Sequence, residues 1–258
     1  MTSIIYPILD RLGRHGLNVH GVAPPFAEAR RLLPGCRSVV VVGSGGRALW
    51  DDFEGALVDQ PHRLRLEDDP LEAHVQRLVE GADPPEIAAV EGRVWHYAAD
   101  PQVPMQELAI AAGLGARGRL WLVMHPVYGP WLALRAVCLT TEELPRSPQV
   151  AQSPCAGCPA PCAPACPANA LKKGDLDWKR CIAHQAFRGR CFPICHSRRA
   201  CPEGAEHAYT DLQQRYHAQP HTGRAALAAH LGIDEPGEAP PGLFTRVLRD
   251  YLKKNKES

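Results

Sequence analysis

The sequence predicts an α+β or α/β domain followed by a small cysteine module, and three observations carry the prediction. Helix-like and strand-like patterns alternate over the first 140 residues. Two apolar stretches around a tight loop containing Pro and Gly then read as a hairpin. Beyond them, eight of the ten cysteines crowd between Cys155 and Cys201, a clustering that points to metal rather than to a disulfide framework.

In chain order, Ile4 to Gly16 reads as a helix with Pro7 near its start, and Phe26 to Leu33 as a second, stopped by Pro34 and Gly35. Arg37 to Val42 is an apolar strand. GSGGRALWDDFEGAL follows as a glycine turn into a helix, and Pro70 to Glu80 is a further helix whose Leu71, His74, Val75, Leu78 and Val79 share one face. Arg93 to Tyr97 reads as a strand and Met105 to Ala112 as a helix. After the turn AGLGARG, Trp121 to His125 and Trp131 to Leu139 read as two strands joined through PVYGP. Glu142 to Ser153 turns to Pro, Ser, Glu and Gln and reads as a linker. The predicted layout is a domain over residues 1–141, a linker over 142–153, a cysteine module over 154–205, and helices with a polar tail over 206–258. Those last helices fall near Ala208 to Tyr216, Arg224 to Leu231 and Gly242 to Lys253.

Composition narrows the function class. Lys and Arg number 29 against 28 Asp and Glu, so no net field favours nucleic acid or an anionic membrane. The apolar region from Leu120 to Leu139 is broken by His125, Pro126, Pro130 and Arg135 and is no membrane span. The amino terminus shows neither a basic-then-apolar leader pattern nor a twin arginine. The expectation is a soluble cytoplasmic protein without a membrane or nucleic-acid partner. Cys36 and Cys138 stand apart in apolar sequence and read as buried structural thiols.

Within the module, Cys155, Cys158, Cys162 and Cys166 sit on one short run, and Cys166 and Cys201 each precede a proline. Bacterial two-cluster ferredoxins use a C-x2-C-x2-C-x3-C-P run whose fourth cysteine ligates the other cluster, and here one extra residue separates the second and third thiols. Three thiolates on a tight loop cap three corners of a cube, so the fourth corner is reached from a distant segment. That logic assigns Cys155, Cys158, Cys162 and Cys201 to one [4Fe-4S] cluster and Cys166, Cys181, Cys191 and Cys195 to a second. Two interleaved four-thiolate zinc sites are the competing reading, because tetrahedral zinc also takes four cysteines, and disulfides are a third. The three-plus-one grouping favours iron and sulfur, since structural zinc more often takes two separate C-x2-C pairs. Two clusters imply an electron path and an external donor such as a flavodoxin or a ferredoxin reductase.

The stretch QELAIAAGLGARGRLWLVMHPVYGPWLALRAVCL, followed by the double cysteine run, resembles epoxyqueuosine reductase, a cobalamin-dependent family related to the reductive dehalogenases. A similar AGLG-x-x-G turn and two strands precede two four-iron clusters there. MHPVYGPWLALR is equally similar to the HP-x-[FY]-G-x-W-[FL]-A-[IL]-R segment of the cobalamin-processing family of methylmalonic aciduria and homocystinuria type C, whose animal members lack the cysteine module. The resemblance runs from Leu9 to Tyr216 and implies a nitroreductase-like α+β domain that binds cobalamin base-off, joined to a ferredoxin-like two-cluster module. It implies close backbone approach to the macrocycle at Gly113, Gly115 and Gly118, and flat contacts at Tyr128, Gly129 and Trp131. Taken singly, these glycines also read as plain turns and the aromatics as core. His125 is expected to bond a corrin amide or the loop backbone rather than cobalt. Arg135, in mid-strand, calls for a carboxylate or a ligand.

Two further signals bear on cofactors and on the reaction. GSGGRA at Gly43 to Ala48 fits a dinucleotide fingerprint, with Glu67 in range of a ribose, but a lone fingerprint is weak and the plain strand-to-helix turn is the preferred reading. A flavin also suits such a fold. Epoxyqueuosine reductase places a proton-donating acid before the AGLG turn, and the matching place falls on Ala99, with Asp100 beside it. The long carboxy-terminal extension with which that family grips transfer RNA is absent from the sequence, as is the export signal usual in dehalogenases. The resemblance therefore implies cobalamin processing, in which electrons pass from two clusters to cobalt and its upper ligand is removed or transferred. Cobalamin-dependent reduction of an organic substrate and a ferredoxin-like carrier without cobalamin are the alternatives.

Overall fold

The computed structural model describes residues 3–98, 100–172, 175–186, 191, 193–218 and 220–233, and these divide into two units. One takes the chain up to Asp52, Glu72–Ala160 and Cys201–Ala208; the other takes Phe53–Leu71, Pro161–Ala200 and the chain from Tyr209. The helices are Ile5–Arg14 (α1), Ala29–Leu32 (α2), Ala48–Asp59 (α3), His62–Leu66 (α4), Pro70–Ala82 (α5), Pro85–Val90 (α6), Met105–Ala111 (α7), Trp178–Ala186 (α8), His196–Arg199 (α9), Asp211–Ala218 (α10) and Pro220–Leu231 (α11). The strands are Val19–Ala23 (β1), Ser38–Gly45 (β2), Arg93–Tyr97 (β3), Ala116–Arg117 (β4), Val123–Met124 (β5), Leu132–Thr140 (β6), Leu171–Lys172 (β7) and Asp175–Leu176 (β8).

The first unit is built on a four-stranded sheet of order β1-β2-β6-β3 in which every pairing is antiparallel. β2 carries the run Val39 to Val42 and is buried at all its positions, as a strand covered on both faces must be. Fully burying one such side chain contributes roughly 1.5–3 kcal/mol. Register aligns Val22, Val40, Cys138 and Trp95 across the four strands. On one face Val39, Val41, Val137 and Leu139 pack with Leu108, Ala109 and Ala112 from α7 and its end. Cys36 and Cys138 are free thiols in this interior, as their apolar context predicts. The α+β class is as expected.

Three local readings change. The stretch around PVYGP is not a hairpin of two long strands: β6 joins the main sheet, while β5 pairs with β4, and only a single bridge links His125 to Gly129. The apolar character of both stretches was right, but β6 finds more apolar surface between β2 and β3 than beside β5. The strand β1 and the helices α4 and α6 have too few periodic apolar positions to stand out in the sequence. Third, residues 142–153 form no free spacer. Ser147 exchanges hydrogen bonds with Val22, its N–H donating to the Val22 carbonyl at 3.2 Å and its hydroxyl accepting from the Val22 N–H at 2.9 Å. Leu144 donates to the Ser38 hydroxyl at 2.9 Å. The segment covers the otherwise open edge of β1.

In the second unit β7 and β8 form a small ribbon that leads into α8. The Phe53 and Tyr216 rings meet edge to face at 5.8 Å, and the Arg224 guanidinium donates to the Glu67 and Asp68 carbonyls. Both contacts tie residues 53–71 to the α10 and α11 pair. The expected helix at Gly242 to Lys253 lies outside the described residues, as does Ala99. No helix among the described residues is long and apolar enough to cross a membrane.

Candidate functional site

The Cys166 set lies wholly in the second unit. Burial first, and then Cys195, Cys191 and Cys166, push the Cys181 thiol up to about 11. Burial likewise raises Cys191, helped by Cys195 and Cys166. These four thiols therefore stand within one another's field, as four ligands of one group must. Backbone N–H groups aim at the sulfurs: Ala170 at Cys166, 3.4 Å, and Ala160 at Cys158, 3.4 Å. Such bonds steady thiolate charge and tune a cluster. Ala160 holds φ 58° and Asn169 φ 48°, left-handed conformations rarely adopted by side-chain-bearing residues. The loop accepts that strain while its N–H groups turn toward the thiols.

In the first unit, Cys155 receives the Arg119 N–H at 3.5 Å and so abuts the AGLGARG turn. Cys158 follows on the same loop, and Cys201 is buried in the returning segment of this unit. Cys162 belongs to the second unit, where it is 6 % exposed. Among the described residues no three His, Cys, Asp or Glu side chains stand close enough to hold a single metal ion.

The residues expected to touch a macrocycle turn out to serve the chain's own packing first. A Cβ at Gly113 would fall 2.1 Å from the Pro148 carbonyl oxygen, at Gly115 2.3 Å from that of Met124, and at Gly118 2.2 Å from the Met124 side chain. Gly129, at φ +52°, meets the Glu203 carbonyl oxygen at 2.0 Å. Trp131 is 1 % exposed and belongs to the core. The glycines of GSGGRA have the same explanation, since a Cβ on Gly45 would strike the Tyr128 ring at 2.2 Å. With β2 antiparallel to both neighbours, that motif does not begin a parallel β-α-β nucleotide unit.

What gathers at this end of the sheet is a small aromatic and polar group. Tyr128 lies over Gly45, its hydroxyl accepting from Asn18 at 3.3 Å, and its ring meets His125 and His207 at centroid distances of 5.0 and 4.7 Å. Asn18 and His207 carry no sequence signal of their own; only the fold brings them here. The His125 Nδ1 accepts the N–H groups of Val127 and Tyr128 at 3.0 and 3.2 Å. Burial, and then the neighbouring His207, lower its pKa. The ring is therefore neutral with its proton on Nε2, which makes it a hydrogen-bond donor without a lone pair for a metal.

Two buried side-chain nitrogens of the main sheet lack partners: Nε2 of His96 and Nε of Arg135. Asp100 accepts from His96 Nδ1 at 2.7 Å and from the Gln102 N–H at 2.9 Å. The Gln102 bond, and then that of His96, hold its carboxyl below the usual range, so Asp100 is an ionised acceptor and a poor proton donor. Leu132 to Arg135, although on a central strand, are all only half-buried. Leu132, Leu134 and Tyr128 pack against the same core, and His125 offers no lone pair to a metal there.

No protein-family model matches the sequence, and no curated protein matches it significantly. The fold is similar to that of the B12-trafficking protein CblC of C. elegans, a human MMACHC homologue, with TM-score 0.58 and 13% identity over 90% of this chain and 96% of that one. It is similar also to epoxyqueuosine reductase from Bacillus subtilis, with TM-score 0.55 and 15% identity over 80% and 68% of the two chains. Epoxyqueuosine reductase bound to an epoxyqueuosine-modified tRNA-Tyr stem loop matches with TM-score 0.56 and 14% identity over 81% and 68%. At such identities the likeness establishes a common fold.

Proposed function

We propose that the chain binds cobalamin base-off and passes electrons from two four-iron clusters to it, reducing cobalt or removing its upper ligand. The observation that carries this reading is a CblC-like fold joined, in one chain, to four thiols that lie in one another's field. Cys155, Cys158, Cys162 and Cys201 are assigned to the first cluster, and Cys166, Cys181, Cys191 and Cys195 to the second. When bound, the clusters would supply one-electron transfer and the cobalt a metal that accepts electrons and releases its upper ligand. The chain's own part is to hold, orient and exclude. N–H donors at Arg119, Ala160 and Ala170 steady the sulfurs. His125 is held as a donor, so it orients a ligand amide instead of binding metal. Tyr128, backed by Gly45, offers a ring face, and Leu132 and Leu134 keep the floor apolar.

Reduction of an organic substrate needs a proton source, and the low pKa of Asp100 speaks against it in that role. Processing is therefore preferred. The test is to purify the protein without oxygen, analyse iron and sulfide, and titrate it with cobalamin. About eight irons and eight sulfides per chain are expected for two cubes, together with loss of the lower-ligand absorption signature on binding. Stoichiometric zinc without sulfide would sink the clusters. An unchanged corrinoid spectrum leaves a ferredoxin-like carrier as the surviving reading.

A further inference from the structure

Within the second unit, residues 53–71 and the end of α11 enclose a cleft of about 420 Å³. Its lining is mostly apolar, with Val58, Pro61 and Leu64 from the first of these and Leu231 and Ile233 from the second. Val58 is 62 % exposed, and Leu66, next in sequence to the lining residue Arg65, is 71 % exposed. Two large apolar side chains left wet beside an apolar cleft mark a surface that gains from being covered. The chain is itself turned into this cleft. Gly232 stops α11 at φ +67°, its N–H donating to the Ala229 carbonyl at 3.4 Å and the Ile233 N–H to the Ala228 carbonyl at 2.9 Å. These two bonds are the pair by which a left-handed glycine ends a helix and reverses its chain. The stop places Ile233 in the cleft lining, so the sequence beyond it starts there.

That sequence is an acidic, proline-rich link, DEPGEAPP over residues 234–241, and then GLFTRVLRDYLK over residues 242–253. In the helix expected over 242–253, Leu243, Phe244, Val247, Leu248, Tyr251 and Leu252 share one face, with Arg246, Arg249 and Lys253 opposite. A helix this short is marginal in water and draws its stability from packing its apolar face.

We infer that residues 242–253 dock as an amphipathic helix, apolar face down, on the cleft between residues 58–65 and the end of α11 of the same chain. The eight-residue link, even fully extended, spans at most roughly 29 Å. A tether that short presents the helix to the cleft at an effective concentration on the order of millimolar, ahead of any competitor free in solution. The charges agree as well. The ionisable residues of the lining are His62 and Arg65, both exposed, and the link that leaves Ile233 beside them carries Asp234, Glu235 and Glu238. Docking covers Val58 and leaves the basic face of the helix in water. It also ties residues 53–71 to α11 a second time, alongside the Arg224 bonds to the Glu67 and Asp68 carbonyls.

Hydrogen exchange read by mass spectrometry on the full chain tests this, comparing the wild type with Val58→Asp and Leu248→Asp. Peptides over 242–253 should be protected in the wild type and exchange roughly tenfold or more faster in each variant, since either change puts a carboxylate into the apolar contact. Peptides over 58–66 should also exchange faster in Leu248→Asp, while those over β2 stay as protected as before, which checks that each variant is folded. Should Val58→Asp fail that check, Leu248→Asp carries the comparison. No protection over 242–253 in the wild type, or the same protection in both variants, overturns the docking. Protection that disappears on dilution together with a dimer assigns the helix to a second copy, and protection gained only on anionic phospholipid vesicles assigns it to a membrane surface; either overturns docking within the chain.

Discussion

At Gly129 a missing side chain holds two loops together. The residue lies at φ +52°, and a Cβ there would sit 2.0 Å from the carbonyl oxygen of Glu203, in the segment that carries Cys201. Gly129→Ala is therefore expected to cost about 2 kcal/mol or more through backbone strain and the clash. It should also shed the iron assigned to the Cys201 cage, so iron analysis together with thermal unfolding checks it; full iron retention would detach the turn from the cluster. Asp83 provides the second residue-scale case. Burial raises its carboxyl, but hydrogen bonds from Arg93 and Trp95 outweigh that and hold it below the usual carboxylate range. Its folded pKa is thus below the unfolded value of about 3.9. The stability it contributes is complete above about pH 4 and is lost as pH falls through the folded value. Asp83→Asn should destabilise by roughly 1.5–3 kcal/mol at neutral pH, because the buried Arg93 then keeps only Glu91, at 2.6 Å, as an anionic partner. Its unfolding free energy should also fall less steeply below pH 4 than that of the wild type, as denaturant titration across pH would reveal.

Among the elements, the loop that carries Cys155 to Cys166 is proposed to divide its thiols between two cages. Replacing Cys166 should remove the cluster whose other thiols are Cys181, Cys191 and Cys195, and replacing Cys155 should remove the other. Paramagnetic resonance of the reduced variants reads which one survives; the same residual spectrum from both would refute the interleaved assignment. This grouping is read from thiol spacing and a trailing proline, which report ligand geometry. β2 was legible for a similar reason: four consecutive valines suit only a strand buried on both faces. The partner of β6 was not, since nothing local distinguishes pairing with β5 from pairing with β2. The reason for the glycines of GSGGRA was hidden for a related cause. Glycines mark close approach, but what approaches is Tyr128, which lies 83 positions beyond Gly45 and reaches it only once the sheet has formed. Arg135 was visible as an oddity in a strand, while its lack of a partner emerges only from the packed sheet.

On the scale of the whole molecule, the proposal makes one chain both the binder of a corrinoid and the carrier of its electrons, and these two roles separate experimentally. Each arrives with its own residues: the thiol cages with Cys166 and Cys155, the corrinoid floor with Leu132 to Arg135 and the neutral His125. A variant without clusters should keep the sheet proposed to hold the corrinoid, because β2, β6 and their valine core draw nothing from the eight cysteines of the module. Such a variant is expected to bind cobalamin with near wild-type affinity yet reduce it slowly when a strong one-electron donor is supplied. The intact protein should reduce it faster than free cobalamin reacts. The driving force has a physical origin, for an axial donor opposes added electron density on cobalt, and a site without one raises the potential; each roughly 59 mV in a one-electron couple is tenfold in the equilibrium constant. Stopped-flow spectra under anaerobic conditions measure both rates. Equal rates with and without intact clusters would remove the thiol cages from the electron path, while the binding arm of the proposal would still stand on the titrations.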